Sequence, residues 1–323
     1  MQHNLRCQSS KLLNSQQRGS SMIGHSNLRL QTAATLTCAI LFGAYATRML
    51  AQSEPCTSPA LVRKTVQNEL KESSANAAHY MFRSQKETPQ GIQTKLYIQT
   101  RDATVGLVVA VNGKPLTPEQ RQAEEARVQR FIENPQELQH KRKQEKEDEE
   151  HTTRIMRALP EAFIFDCDGT VPGQEGLGAP GDDLVKLRFH PNPKYNPPSR
   201  VEQVLTGMHG VLLIDAKRNR IAEIDGTLFK EVGFGWGILG HLDKGGHFLV
   251  QQTAVPEHGW EVSRMNLSFT GKIMMVKRLT IKSDEAFSDY RPVPGDLTFA
   301  QGFDLLKKQE AVFAQNQISG PAR

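Results

Sequence analysis

From Ala162 to Lys282 the chain is a succession of short apolar alternations separated by turn chemistry, with no helical period between them. AFIFD at 162–166 opens the series. Residues 183–189 continue it, with Val185, Leu187 and Phe189 alternating against Lys186 and Arg188. Segments 201–215, 219–225, 227–234, 246–255, 259–269 and 272–282 follow. Asp215–Asn219 and Thr270-Gly271 read as hairpin turns. Parallel strands need crossovers of a dozen or more residues, and this half has none. The expectation is therefore an α+β fold built on one large curved antiparallel sheet, an incomplete barrel closed by helices. Within 259–269, Trp260 and Val262 keep one register while Met265, Leu267 and Phe269 keep the other. A one-residue slip buries the wrong face, so a β-bulge is predicted near Arg264.

The front half supplies the helices. Ser58-Pro59 reads as a cap followed by a first-turn proline, with Leu61, Val62, Val66 and Leu70 on one face. Strands are predicted over 77–87, 91–101 and 104–111, the last two forming a hairpin through Asp102-Ala103. Thr117-Pro118-Glu119-Gln120 is a capping box that starts a helical insertion over 117–158. Its middle, 139–153, has no apolar residue and reads as a solvated helix or a flexible segment. A closing helix is expected over 298–314, carrying Phe299, Phe303, Leu306 and Phe313.

Charge separates the ends from the middle. The chain carries +5, but five of its 40 basic residues and none of its 35 acidic ones lie in residues 1–53, so the remainder is balanced. The basic excess belongs to the first 53 residues and gives no support for a nucleic-acid surface. There, a basic head precedes the apolar stretch 32–47, and Ala51-Gln52-Ser53 offers small side chains before Glu54-Pro55. That is the order of a secretory signal, with Met22 as an alternative start. An uncleaved N-terminal anchor is the other reading, although the stretch is shorter than the ~20 residues a spanning helix needs. Residues 54–323 are then a single exported domain of the periplasm or cell envelope. Cys56 and Cys167 permit one disulfide there. We take them as unpaired, since the sequence does not show whether their Cα atoms come within reach.

Two motifs suggest catalysis. Phe163-Ile-Phe-Asp166-Cys-Asp168-Gly-Thr170 resembles the first motif of haloacid-dehalogenase-type phosphatases. That resemblance implies Asp166 as nucleophile, Asp168 as general acid and Mg²⁺ held by both. The hairpins that follow, and a second Asp225-Gly226-Thr227, point instead to turn chemistry. Gly235-Trp-Gly-Ile-Leu-Gly240 matches G-x-G-x-x-G, but a turn-rich loop follows where a dinucleotide site needs a helix. The histidines are scattered without metal-site spacing. We therefore expect no catalytic residue, no metal and no cofactor, and keep the phosphatase as an alternative.

The run Gly210-Val-Leu-Leu-Ile-Asp215 through Ile221-Ala-Glu-Ile-Asp-Gly226 resembles the hairpin of periplasmic lipoprotein-sorting proteins, the superfamily of the lipoprotein carrier. The resemblance covers about residues 58–314 in topology and 200–282 in residue pattern. It implies an open barrel with an apolar hollow, so that the chain binds a lipid, a lipoprotein acyl chain or another hydrophobic ligand. Trp236, Ile238, Leu239, Phe248 and Trp260 are the residues expected at the cavity mouth. The other reading is an envelope protein-interaction module without ligand.

Overall fold

The computed structural model describes residues 58–75, 79–88, 91–234, 240–255, 259–273 and 277–319. In chain order, helix α1 (Ser58–Ala75) is followed by strands β1 (His79–Thr88), β2 (Gly91–Ile98), β3 (Val105–Val111) and the two-residue β4 (Lys114–Pro115). Helices α2 (Pro118–Glu133) and α3 (Pro135–Ala162) come next, then β5 (Phe163–Pro172) and β6 (Asp183–Pro191). A short α4 (Arg200–Gln203) and a 3-10 turn (Val204–Gly207) lead into β7 (Met208–Asp215) and β8 (Arg220–Leu228). The chain continues through β9 (Val232–Phe234), β10 (Gly240–Leu242), β11 (His247–Val255), β12 (Gly259–Ile273) and β13 (Lys277–Val293), and α5 (Phe299–Ser319) follows. The thirteen strands form one open antiparallel sheet in the order β4-β3-β2-β1-β13-β12-β11-β8-β7-β6-β5, with β9 and β10 branching from β12. Contacts gather residues 53–323 into one compact unit.

Helices cover the sheet at its two ends. Val62 and Val66 of α1 pack with Leu159 and Ala162 of α3 onto Phe165, Leu187, Leu212 and Ile214. At the far end, Phe299, Phe303 and Leu306 of α5 and Val128 of α2 cover Leu96, Ile98, Val105 and Leu107. Helix α3 belongs to both cores: Leu138 packs against the second and Leu159 lies in the first. Its 28 residues make a rod of about 42 Å. That matches the width of the ten strands from β3 to β5, spaced about 4.8 Å apart.

This span explains the apolar-free run. Between its two anchored ends α3 has no core to meet, so 139–153 is helical and polar. Lys141–Glu145 at 2.7 Å, Lys143–Glu147 at 3.7 Å and Lys146–Glu150 at 4.0 Å line its surface. Exposed pairs of this kind contribute little stability. The run does a second job at the free edge of β3, beyond the reach of β4. Glu145 accepts from Thr104 N at 3.0 Å. On α2, Glu124 accepts from Val108 N and Arg127 donates to Gly106 O, both at 2.8 Å. An open edge otherwise presents unpaired backbone groups to other chains.

The capping box at Thr117 and Gln120 forms as the sequence predicts. So does the bulge: Gln251 pairs with Arg264 while Gln252 pairs with Val262, leaving Ser263 as the extra residue. Three expectations are corrected. Residues 200–207 are helical turns, not the start of a strand, because Ser199 caps Val201 N and bonds Glu202. Strand β8 runs straight through Asp225-Gly226-Thr227, so this triplet is not a turn. Gly226 is required because a Cβ there would lie 2.5 Å from the Phe248 ring. Strand β12 likewise passes through Thr270-Gly271, which pair with Thr280 and Leu279. A Cβ on Gly271 would lie 2.1 Å from His241 O, where β10 approaches.

Cys167 is disulfide-bonded, which corrects the unpaired reading. Ser58 Oγ donates to Phe165 O at 2.8 Å and brings the chain just after Cys56 beside the chain just before Cys167. Peptide mapping without reductant is therefore expected to join the Cys56 and Cys167 peptides; a link from Cys167 to Cys7 or Cys38 would contradict this. A second prediction concerns Glu261 on β12. Burial pushes its carboxyl up to about 7, against the opposing pull of Arg220. The folded state therefore holds this proton more tightly than the unfolded one, and stability falls as pH rises from about 4.5 to about 7. Allowing for its partial exposure, the loss is on the order of 2 kcal/mol. Denaturant titrations from pH 4.5 to 8 should show this slope, and E261Q should flatten it.

Candidate ligand-binding cavity

Between the C-terminal half of α3 and the sheet lies a cavity of about 240 Å³. Its roof is Thr152, Ile155, Met156 and Leu159, one face of α3. One wall is aromatic: Phe163 and Phe165 of β5 and Phe189 of β6, with the Phe163 and Phe189 ring centroids 4.6 Å apart. Met208 and Leu212 of β7 and Ile221 and Ile224 of β8 form the floor. Phe248 and Val250 of β11 and Val262 of β12 close the remaining side. Among the described residues of the lining, Thr152 and Gln252 are the polar ones, so these walls offer no ion pair and little hydrogen bonding.

Local sequence accounts for the shape. β7, β8 and β11 pair in register as Leu212–Ile224–Val250, placing three branched side chains on one face. The β12 bulge turns Val262 to that same face. Helix α1 holds the floor from outside the cavity. Glu69 accepts from Ile221 N at 2.7 Å and pairs with Arg220 at 2.9 Å, and Asn68 donates to Asn219 O at 3.1 Å.

Of the residues expected at the cavity mouth, Phe248 stands in the cavity wall. Trp260 does not. It packs beside the Leu184–Leu213–Ala222 cluster, with the Arg220 guanidinium 5.8 Å from its ring centroid. The reason is topological: Trp260 pairs with Ala254, past Gln251, the last β11 residue joined to β8. There the 173–182 loop replaces β8, bridging Gly178 to Thr253. Trp236, Ile238 and Leu239 lie outside the described residues. Sequence reasoning missed the roof, although Ile155, Met156 and Leu159 form a helical stripe immediately after the apolar-free run.

The phosphatase reading is overturned. Asp166 and Asp168 lie on β5, a strand at the sheet's edge whose neighbour β6 is antiparallel. Asp168 and Gly169 form a bulge, with Gly169 at φ 87°. Lys186 at 2.9 Å and Arg188 at 3.6 Å neutralise Asp168, and the Lys186 hydrogen bond holds its carboxyl below the usual range. Asp166 faces His190 at 3.5 Å. Gly240, the last residue of the G-x-G-x-x-G match, opens β10, so no helix begins there to receive a pyrophosphate.

One cluster carries metal-compatible donors: Glu231, His241 and Asp243 bring one ligand atom each within 4.8 Å of one another. Its geometry is also that of an ion pair, with His241 Nε2 at 3.3 Å from Asp243 and Thr270 Oγ1 donating to the other Asp243 oxygen.

No family model matches this chain, and no curated protein does. Solved structures do match it, among them these two. One carries the provisional name of outer membrane lipoprotein-sorting protein domain and comes from Vibrio parahaemolyticus; it is 10% identical, with 76% of this chain and 99% of that chain covered and a TM-score of 0.28. Another is a DUF1329 family protein from Desulfovibrio piger, 8% identical, with 75% of this chain and 95% of that chain covered and a TM-score of 0.24. At such scores these likenesses carry no weight about what the chain does; the cavity's geometry stands by itself.

Proposed function

We propose that this chain is an exported, non-enzymatic binding protein of the cell envelope that holds the apolar end of a lipid, a lipoprotein acyl chain or another hydrophobic ligand. The observation that carries the reading is an unfilled apolar cavity under a helix pinned at both ends. Its 240 Å³ exceeds the ~150 Å³ of an apolar cavity that takes up benzene. It falls below the ~300–1,000 Å³ of a typical small-molecule site. The occupant is thus a tail segment, not a whole lipid. At ~0.8 kcal/mol per buried CH₂, six methylenes contribute about 5 kcal/mol. Part of that is offset by the cost of association, so reversible rather than permanent binding is the expected regime. No catalytic group is needed.

Export is supported by the order of residues 1–53 and by the disulfide at Cys167, since such bonds persist in oxidising compartments. Among the described residues, no helix is long and apolar enough to cross a membrane. The interaction-module reading keeps one favourable observation. Among the described residues no strand pairs with the outer side of β5, and Ile164 on it is 42% exposed.

Native mass spectrometry of gently purified protein separates the two. A lipid-sized adduct is expected on the wild type. It should be absent from Ile224→Trp, which fills the floor, and from Met156→Trp, which fills the roof without disturbing a fully buried position. A folded wild type free of adduct, or an adduct that survives both substitutions, removes the cavity from the function.

A further inference from the structure

A second hollow lies toward the other end of the sheet from the apolar cavity, at β2 and β3. Lys95 and Tyr97 stand two apart on β2 and so share one of its faces. Tyr97 pairs with Gly106 of β3, and its ring lies over that glycine, where a Cβ would come 2.6 Å from the ring. Helix α2 brings Arg127 to the same place, fixed by its bond to Gly106 O, and α3 brings Lys141. These four side chains, together with Val128 and the half-buried Phe131, line an open hollow of about 190 Å³.

Every charged residue of that lining is basic. Two of the three cations are matched from outside it: Arg127 bonds Glu124 and Lys141 bonds Glu145, each at 2.7 Å. Lys95 differs. Among the described residues its ammonium has no ion pair and no hydrogen bond. Glu124 and Glu285 attract it from beyond ion-pair distance, but Glu124 already accepts from Arg127 and Val108 N, and Glu285 from Ser84 Oγ. Burial, with the charges of Arg127 and Lys86, holds Lys95 below the ordinary lysine value. The Tyr97 hydroxyl also has no hydrogen-bond partner among the described residues. Burial pushes it up to about 12, so it keeps its proton and is a donor at neutral pH. Lysines are rarely drawn out of water without a partner, and like charges gathered in a half-buried space repel. An anion in the hollow would relieve both.

We propose that this hollow binds a small monocarboxylate with an apolar body, its carboxylate held by Lys95 and the Tyr97 hydroxyl and its body against Phe131. One unmatched cation calls for one negative charge, and charge-assisted hydrogen bonds to a carboxylate are the strong ones. Inorganic phosphate carries more than one charge at neutral pH and has no apolar part to set against Phe131. The site is separate from the tail-binding cavity and does not depend on it.

Ligand-detected NMR titrations on the full chain compare benzoate with benzamide, its neutral counterpart of nearly the same shape, and with inorganic phosphate. Benzoate should bind about tenfold more tightly than either. Lys95→Met and Lys95→Gln should each erase that preference, whereas Lys95→Arg keeps the charge and should keep it. Lys282→Met, at an exposed lysine elsewhere on the sheet, should change nothing, and neither should Met156→Trp, which fills the apolar cavity. Benzamide binding as tightly as benzoate, a preference that survives both neutral Lys95 variants, or no binding at all overturns the site. Phosphate equal to benzoate overturns the monocarboxylate as its ligand. Binding lost in Met156→Trp puts benzoate in the apolar cavity and overturns the site as well, while leaving the tail-binding reading in place.

Discussion

Everything in this molecule depends on α3 being held at both ends. Leu138 is fixed in the core over β1–β3 and Leu159 in the core over β5–β8, and the helix spans the strands between. A rod with two anchored ends needs no apolar contact along its middle. That is why fifteen consecutive residues without an apolar side chain remain helical here. It is also why space persists under the C-terminal half. The roof cannot settle onto the floor without drawing Leu138 or Glu145 away from the opposite edge.

The sheet face beneath the helix is graded rather than uniform. Branched and aromatic residues of β5 to β8 and β11 make its apolar end. A buried carboxylate, two lysines and buried hydroxyls occupy β13, β1 and the neighbouring β2. The strands supply this grading through register alone. Each contributes one or two residues per row, and the change of character falls between Met265 and Glu285, which pair directly. A sheet slipped by one residue at that step would bury Asp284 in place of Glu285 and lose the match to Lys86.

Some of this was legible in the residues and some was not. The Thr117 capping box and the β12 bulge were legible because each depends on side chains a few positions apart. The Ser199–Glu202 cap that turns 200–207 helical has the same local signature and could have been found the same way. The glycines were misread. Gly226 and Gly271 look like turn residues, yet both sit in mid-strand because Phe248 and His241, from other strands, come too close for a Cβ. Of the expected cavity residues, Phe248 lines the space and Trp260 does not, because a loop replaces β8 beside the end of β11.

Sequence by itself determined the class of the fold: alternating strands with no crossover helix between them pair antiparallel, and the balanced charge of residues 54–323 gives no support for a nucleic-acid surface. Tertiary structure alone decided what the aspartate pair, the charged run and the glycines are for. Asp166 and Asp168 became edge residues matched by His190, Lys186 and Arg188, the charged run became a span between two cores, and Gly226 became room for a ring. The physical reason is separation. Caps, bulges and alternation arise from neighbours in the chain, whereas a cavity is made by surfaces that meet from residues about a hundred positions apart.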